Sequence, residues 1–291
     1  MTNLGLELHF YSHLAGFVLS PLIDTLLSKS PTITSTIITM SASAKNVLVT
    51  GASRGIGLAI ARFLLKDSHK VFLVARTEEP MAQLKKEFPG QVEYLAADLG
   101  DFEVGPKAIF QALSSFRTID ALILNHGTLS PVKSIAESTP SEWRKAHDVN
   151  FFSLIGFIQP AIPALRASRG TIIMTSSGAA ASTYKTWGAY GSSKAAMNHL
   201  GGTLANEEPL ITTVSVRPGV VDTEMQIEVR SHDTVMDSKD AAKFKSLHEE
   251  GKLLKPEQPG NVMARLAIGA EKHLSGKFLS WNDSELEVYQ D

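Results

Sequence analysis

The chain contains no cysteine. That excludes disulfide frameworks, thiolate metal sites and cysteine nucleophiles, and leaves oxygen and nitrogen groups to carry any chemistry. A reducing compartment is compatible with this, and a cytoplasmic location is the expectation. An excess of positive charge is also missing: 28 Lys and Arg against 30 Asp and Glu give a formal net charge of -2. With no long basic run to neutralise phosphates, nucleic acid is set aside as a partner. Nor is there an uninterrupted apolar run of the roughly 20 residues that span a bilayer. The nearest, "HFYSHLAGFVLSPLIDTLL", is broken by His13 and Pro21, so no membrane association is expected. The basic start of a secretory leader and the arginines of a mitochondrial one are absent there too, while Glu7 and Asp24 are present. Residues 1–44, rich in Ser and Thr toward their end, read as a loosely ordered N-terminal extension, with Met40 just before the first clear strand.

What remains is ordinary globular material, 43% hydrophobic and 20% charged over 291 residues, enough for a sizeable core. From Asn46 onward, "NVLVT", "KVFLVA", "VEYLAA", "DALILN", "GTIIMTS", "TTVSVR" and "GKFLS" are short runs of Val, Ile and Leu. Such runs suit parallel strands buried on both faces. Helix-length segments lie between them, among them "GLAIARFLLKD" and a long one from Thr139 to Leu165. The long one opens with Thr139, Pro140 and Glu142 as cap, first-turn proline and capping-box acid. The alternation predicts βαβ units and an α/β, doubly wound parallel sheet in one domain over 45–291. No linker or repeat divides it.

The first strand runs into "TGASRGIG", residues 50–57. Gly51 permits a tight turn, Gly55 a close approach of backbone to phosphate, and Gly57 the packing of the next helix on the strand, so a dinucleotide site is predicted. At the end of the second strand, where a carboxylate would take the ribose 2′-hydroxyl of NAD, stands Arg76, and Arg54 lies inside the glycine turn. Two guanidiniums there suit a 2′-phosphate and favour NADP(H). Asp98, ending the third strand, is placed to accept from an adenine amino group, or to form a turn.

In "YGSSK", Tyr190 and Lys194 stand four residues apart. On a helix they share a face and can point into one pocket. A charge about 5 Å from the phenol, at an effective dielectric near 20, is worth roughly 3 kcal/mol, or about two pK units. That predicts a phenol usable as an acid at neutral pH. General acid catalysis of this kind needs a second donor on the carbonyl oxygen. Ser177, following "GTIIMTS" at the carboxyl edge of the sheet, is the candidate.

With these residues assembled, the chain resembles the single-domain short-chain dehydrogenase/reductases, which have a Rossmann fold. The resemblance covers about residues 45–282 and rests on "TGASRGIG", "DL", "NHG", Asn150, Ser177, "YGSSK" and "RPGVVDT", in family order. The family's serine stands thirteen positions before its tyrosine, which selects Ser177 over Ser176. The resemblance implies that Tyr190 donates the proton, Lys194 also holds the nicotinamide ribose, Ser177 orients the carbonyl and Asn150 sustains a water-linked proton relay. It further implies cofactor contacts from Ser53, Ile56, Leu99, Asn125 and Gly127, and a grip on the carboxamide by Val221 and Thr223 after Pro218 and Gly219. The family's usual Asn-Asn-Ala-Gly is here Leu124, Asn125, His126 and Gly127; His126 reads as a packed or partly solvated neighbour of the cofactor rather than a catalytic group.

At subfamily level the chain is similar to sepiapterin reductases and benzil-reductase-type carbonyl reductases, on Lys185, Trp187, "LANEEP" and "PGVVDTEMQ". Trp187 reads equally as a substrate wall or as packing. A substrate lid is implied over about 222–255. Sepiapterin reductases keep an aspartate near the C-terminus for the pterin; Ser280 stands at that place, with Asp283 three residues on. The expectation is therefore an NADPH-dependent carbonyl reductase acting on a small ketone or dicarbonyl, a homodimer or homotetramer. The other reading open at this point is a cofactor sensor or scaffold that binds NADP(H) without turnover.

Overall fold

The structure, a computed structural model, describes residues 44–290. Residues 1–43, most of the expected extension, lie outside the described residues. Seven strands form one parallel sheet in the order β3-β2-β1-β4-β5-β6-β7. They are β1 (Asn46–Thr50), β2 (Lys70–Ala75), β3 (Val92–Ala96), β4 (Ala121–Leu124), β5 (Thr171–Thr175), β6 (Thr212–Arg217) and β7 (Phe278–Ser280). Each lies within one of the seven apolar runs read from the sequence.

Successive side chains of a strand point to opposite faces, so a strand covered on both sides needs apolar residues at every position. Val47 and Val49 of β1 and Ala121 and Ile123 of β4 enter one core layer, under α1 (Gly55–Lys66), α2 (Glu79–Glu87) and α9 (Glu257–Gly269). Leu48, Leu122 and Leu124 enter the other, under α3 (Val104–Phe116), α5 (Ser153–Ser168) and α6 (Gly188–Glu207). Burying a Val or Leu side chain contributes about 1.5–3 kcal/mol, so both layers favour this register over a one-residue slip.

The long fourth helical segment is in two parts. Thr139 Oγ1 accepts from Glu142 N, and a Glu142 carboxylate oxygen accepts from Thr139 N at 2.8 Å, the reciprocal cap that starts α4 (Pro140–His147). A π-helical turn, Asp148–Phe152, then joins it to α5. The inserted residue rotates the chain and points Asn150 inward, a common device next to functional sites. By length and mean hydropathy, 1.2, this run could cross a membrane; here its inner face packs on α3 and α6.

After β6, the chain leaves the sheet edge at Val221 and returns at Leu254, and these two residues form a parallel bridge. Asp222 N donates to Leu254 O at 2.8 Å and Leu254 N to Val220 O at 3.0 Å. The excursion between them carries α7 (Glu224–Ser231) and α8 (Ser238–Glu249).

Strand order reverses between β1 and β4, and there the connecting loops diverge and open a crevice at the carboxyl ends of the strands. The glycine turn occupies that place. Gly51 and Gly55 have φ of +65° and +52°, values that L side chains adopt only with strain. A β-carbon on Gly57 would stand 2.2 Å from the Gly51 carbonyl oxygen and 2.7 Å from Asn125 Nδ2. Because backbone cannot give way there, Gly57→Ala is expected to cost about 3 kcal/mol, read as a lowered urea midpoint. A loss below about 1 kcal/mol would show that α1 can shift away from the strand.

Candidate active site

The crevice is a cavity of about 1000 Å³ at the carboxyl edge of the sheet. At its centre, α6 places Tyr190 in its first turn and Lys194 one turn later, both buried. Ser177 follows β5, its hydroxyl accepting from Ala179 N at 3.1 Å, and it stands close enough to the Tyr190 phenol to act on its acidity. Lys194 Nζ donates to the Thr175 carbonyl oxygen at 2.7 Å and lies 5.9 Å from the Tyr190 ring centroid.

These contacts correct the expected electrostatics. Burial raises the Tyr190 phenol above its ordinary value, and the nearby Ser177 hydroxyl offsets part of that rise. Lys194 does not supply the predicted lowering. Burial brings the ammonium itself down to about 7, so it is only partly charged at neutral pH and is held by a carbonyl. Spacing of four residues puts the two groups in one pocket, but depth of burial decides the sign.

Asn150 is fully buried, and its side chain is engaged on every side. Nδ2 donates to Thr128 O at 2.9 Å and to Ser193 Oγ at 3.1 Å, and Oδ1 accepts from Thr128 N at 2.8 Å. It thus ties the loop after β4 to α6. Its amide does not line the cavity, and neither does Gly57, whose part is packing. Every other predicted site residue lines it.

The glycine turn and the loop after β4 are held together by side chains. Asn125 Nδ2 donates to Gly51 O at 3.3 Å and its Oδ1 accepts from Thr175 Oγ1 at 3.0 Å. That leaves its backbone to face a ligand. A β-carbon on Gly127 would stand 3.5 Å from Lys194 Nζ, so the bare glycine keeps space beside the amine. One Asp98 oxygen accepts from Gly100 N at 3.0 Å, leaving the other for the cavity. Leu99, beside it, is buried apart from its face on the cavity.

His126 bridges Thr50 Oγ1 at 2.7 Å and Ser153 Oγ at 2.8 Å. Ser153 already donates to Val149 O, so it accepts from His126 Nε2–H, and the Thr50 hydroxyl, 3.3 Å from Ile123 O, gives its hydrogen over the shorter distance to Nδ1. Burial and the nearby Lys194 lower this imidazole to about 3, so it is a neutral link from β1 to α5. The expectation of a packed neighbour is the arrangement found.

Arg54 and Arg76 stand exposed at one end of the cavity, and Arg54 Nε is 3.7 Å from Glu224 Oε2. At the other end Trp187 stacks on Phe244 of α8, centroids 5.7 Å apart, and meets Tyr190 edge-on at 5.8 Å. Trp187 is therefore both wall and packing. Phe244 and Arg217 were not singled out from sequence. Arg217 stands inside the quoted "RPGVVDT", but where its side chain goes depends on β7. Its guanidinium donates to Ser280 Oγ, at the place where a sepiapterin reductase would keep its aspartate. Asp283 turns back to accept from Ser280 N at 2.6 Å.

A family model described as short chain dehydrogenase matches residues 45–234. The chain belongs to that family. It is thereby an oxidoreductase acting on CH–OH or C=O groups of small molecules, with a fold that binds NAD(P). The dehydrogenase is 36% identical over 262 residues to a Saccharomyces cerevisiae benzil reductase ((S)-benzoin forming), covering 84% of this chain and 99% of the relative. It matches the crystal structure of a short chain dehydrogenase/reductase from the same yeast at a TM-score of 0.83 and 37% identity, over 85% of this chain and all of the other. An L-sorbose reductase from Gluconobacter frateurii, solved with NADPH and L-sorbose, matches at 0.71 and 26%, over 82% and 95%.

The residues present fit a dinucleotide. A cradle of glycines with no room for a β-carbon faces the N-terminus of α1, and the cavity runs from there to Tyr190.

The depressed Lys194 makes a stability prediction. Between about 7, its value when folded, and 10.5, its ordinary value, the unfolded chain holds a proton that the folded chain lacks. Stability therefore rises with pH across that window, by at most about 1.4 kcal/mol per unit. The cofactor-free protein should gain urea resistance from pH 7 to 9 relative to Lys194→Met; parallel profiles for the two would mean that the ammonium is solvated.

Proposed function

We propose that this dehydrogenase is an NADPH-dependent carbonyl reductase for small ketones or dicarbonyls. The observation that carries the reading is that Ser177, Tyr190 and Lys194 line one cavity together, with the Lys194 amine 5.9 Å from the Tyr190 ring centroid, in a space large enough for cofactor and substrate. When bound, NADPH supplies the hydride that reaches the carbonyl carbon.

The chain's own residues supply the rest. Tyr190 gives its proton to the carbonyl oxygen, and its raised value keeps that proton in place until negative charge develops there. Ser177 holds the same oxygen with a hydrogen bond that strengthens as charge grows. Lys194 takes a ribose hydroxyl and stabilises the phenolate left behind. Asn150 acts by position, fixing the loop after β4 against α6 and sustaining the return path of the proton. Gly51, Ser53, Gly55 and Ile56 present backbone to the pyrophosphate at the start of α1. Asp98 and Leu99 border the adenine, and Pro218, Gly219, Val221 and Thr223 border the nicotinamide.

Arg54 and Arg76, exposed and, among the described residues, with Glu224 as the sole acid paired to the first, support a 2′-phosphate. The NADPH in the sorbose reductase and the dicarbonyl substrate in the name of the yeast relative support the same choices. The segment between Val221 and Leu254 is the lid, belonging to one domain over 45–291. Exposed Phe110 on α3, with Phe152 and Ile155 on the long helix, supports a homodimer or homotetramer. A cytoplasmic location completes the reading.

Tyr190→Phe should lower kcat a hundredfold or more while NADPH affinity stays nearly constant; activity within a few fold of wild type would remove the assignment. Wild type should prefer NADPH over NADH by about 10² in kcat/KM, since each charge-assisted hydrogen bond is worth roughly 1.5–3 kcal/mol before screening. Arg76→Asp repels the phosphate and offers an acceptor to a free 2′-hydroxyl, so the preference should move toward NADH. Steady-state kinetics with both cofactors decide it, and an unmoved ratio would leave Arg76 a surface charge.

A further inference from the structure

Besides Lys145 and Lys243, one further cation that the reaction does not use lines the cavity. Arg217 ends β6, and its side chain lies exposed in the cavity. Its stem passes against Gly178, the residue after Ser177: a β-carbon on Gly178 would stand 3.4 Å from Arg217 Cδ and 3.9 Å from Nη1. The guanidinium therefore lies beside the backbone that follows Ser177. Ser280 Oγ accepts from its Nη2 and fixes its direction.

Its charge has no acidic partner among the described residues. The two acids that line the same cavity are engaged elsewhere, Glu224 near Arg54 and Asp98 at the turn to Gly100. Ser280 accounts for one of five guanidinium N–H donors, and Asp283, three residues after Ser280, faces the Ser280 backbone. A lone guanidinium at the mouth of an apolar, aromatic pocket is a ready site for oxygen acceptors, and for two coplanar oxygens above all.

Resting on the carbonyl-reductase reading, we propose that Arg217 selects substrates with an acceptor oxygen on the carbon next to the reacting carbonyl. These are 2-oxo carboxylates or vicinal diketones, with the remaining substituent against Trp187 and Phe244. One hydride from NADPH goes to the carbonyl carbon and one proton from Tyr190 to its oxygen. The product is a 2-hydroxy acid or a hydroxyketone, and NADPH leaves as NADP⁺. The neighbouring oxygen stays on Arg217 throughout.

The test uses three substrates of similar size with NADPH: phenylglyoxylate, 1-phenylpropane-1,2-dione and propiophenone. The first two carry the vicinal oxygen, charged and neutral, and the third lacks it. Arg217→Met should lower the kcat/KM ratio of phenylglyoxylate to propiophenone at least about tenfold, mainly through KM, and that of the dione about threefold. Arg217→Lys should keep part of the phenylglyoxylate ratio, as a point charge without the fork. Ser280→Ala, which leaves the guanidinium present but unaimed, should lower it a few fold. Unmoved ratios in Arg217→Met would overturn the proposal, as would an equal loss on all three substrates together with weaker NADPH binding, which would give Arg217 to the cofactor. If wild type reduces none of the three, the carbonyl-reductase reading fails by itself. Arg217 is then judged by the rise in melting temperature that phenylglyoxylate gives the NADP⁺-loaded protein: present in wild type and absent in Arg217→Met if the site exists, equal in both if it does not.

Discussion

The contact on which the site depends is between two stretches of bare backbone. Gly51 O, at the end of β1, lies where a side chain at Gly57 would have to be, so α1 starts directly against the strand that feeds it. That closeness aims the first N–H groups of α1 into the crevice, where they and the helix dipole favour an anion. The same carbonyl accepts from Asn125 Nδ2, whose Oδ1 accepts from Thr175 Oγ1. Three strand ends, those of β1, β4 and β5, are thereby locked in one plane. Thr175 in turn offers its carbonyl to Lys194. Cofactor cradle and reacting groups are consecutive links in one hydrogen-bonded chain across the edge of the sheet.

That chain explains how the protein tolerates polar groups at such depth. Thr50, His126, Asn150, Ser153 and Ser193 are each at most 5% exposed. Each is hydrogen-bonded, and an unpaired buried polar group costs about 1–3 kcal/mol. His126 shows the economy of the arrangement. It replaces a small residue of the family pattern, yet both its ring nitrogens find hydroxyls already present on β1 and α5. Protonation would need a second donor hydrogen where Thr50 is donating, and burial opposes the charge as well, so the ring stays neutral in company with Lys194.

The sheet was legible because the central strands β1, β4 and β5 are buried at nearly every position and show as short apolar runs, and the glycines mark the one turn where backbone must approach backbone. The fixed spacings also anticipated that Ser177, Tyr190 and Lys194 would line one cavity. Three features were not legible. The π-helical turn at Asp148–Phe152 leaves no mark in apolar periodicity, because the inserted residue is compensated within a single turn. The direction of the Tyr190 shift depends on how much surface is closed over the phenol, and a four-residue spacing carries no information on depth. Arg217 stands in plain view beside Pro218, but a residue at a strand end can face either layer. Only the arrival of β7 and Ser280 alongside β6, some sixty residues later, turns it into the cavity.

Charge then divides the cavity by function. Arg54 and Arg76 are solvent-facing, where salt screens them and binding is adjustable. Lys194 is buried and near neutrality, so the charge it contributes depends on what binds beside it. A ligand bringing negative charge or hydroxyl dipoles raises the amine's affinity for its proton, and a more fully charged Lys194 lowers the phenol of Tyr190 in turn. The side chains by themselves, a raised phenol beside an amine lowered by burial, leave that coupling weak. On this argument, binding of the dinucleotide supplies the electrostatic coupling that the sequence spacing makes available but burial alone suppresses.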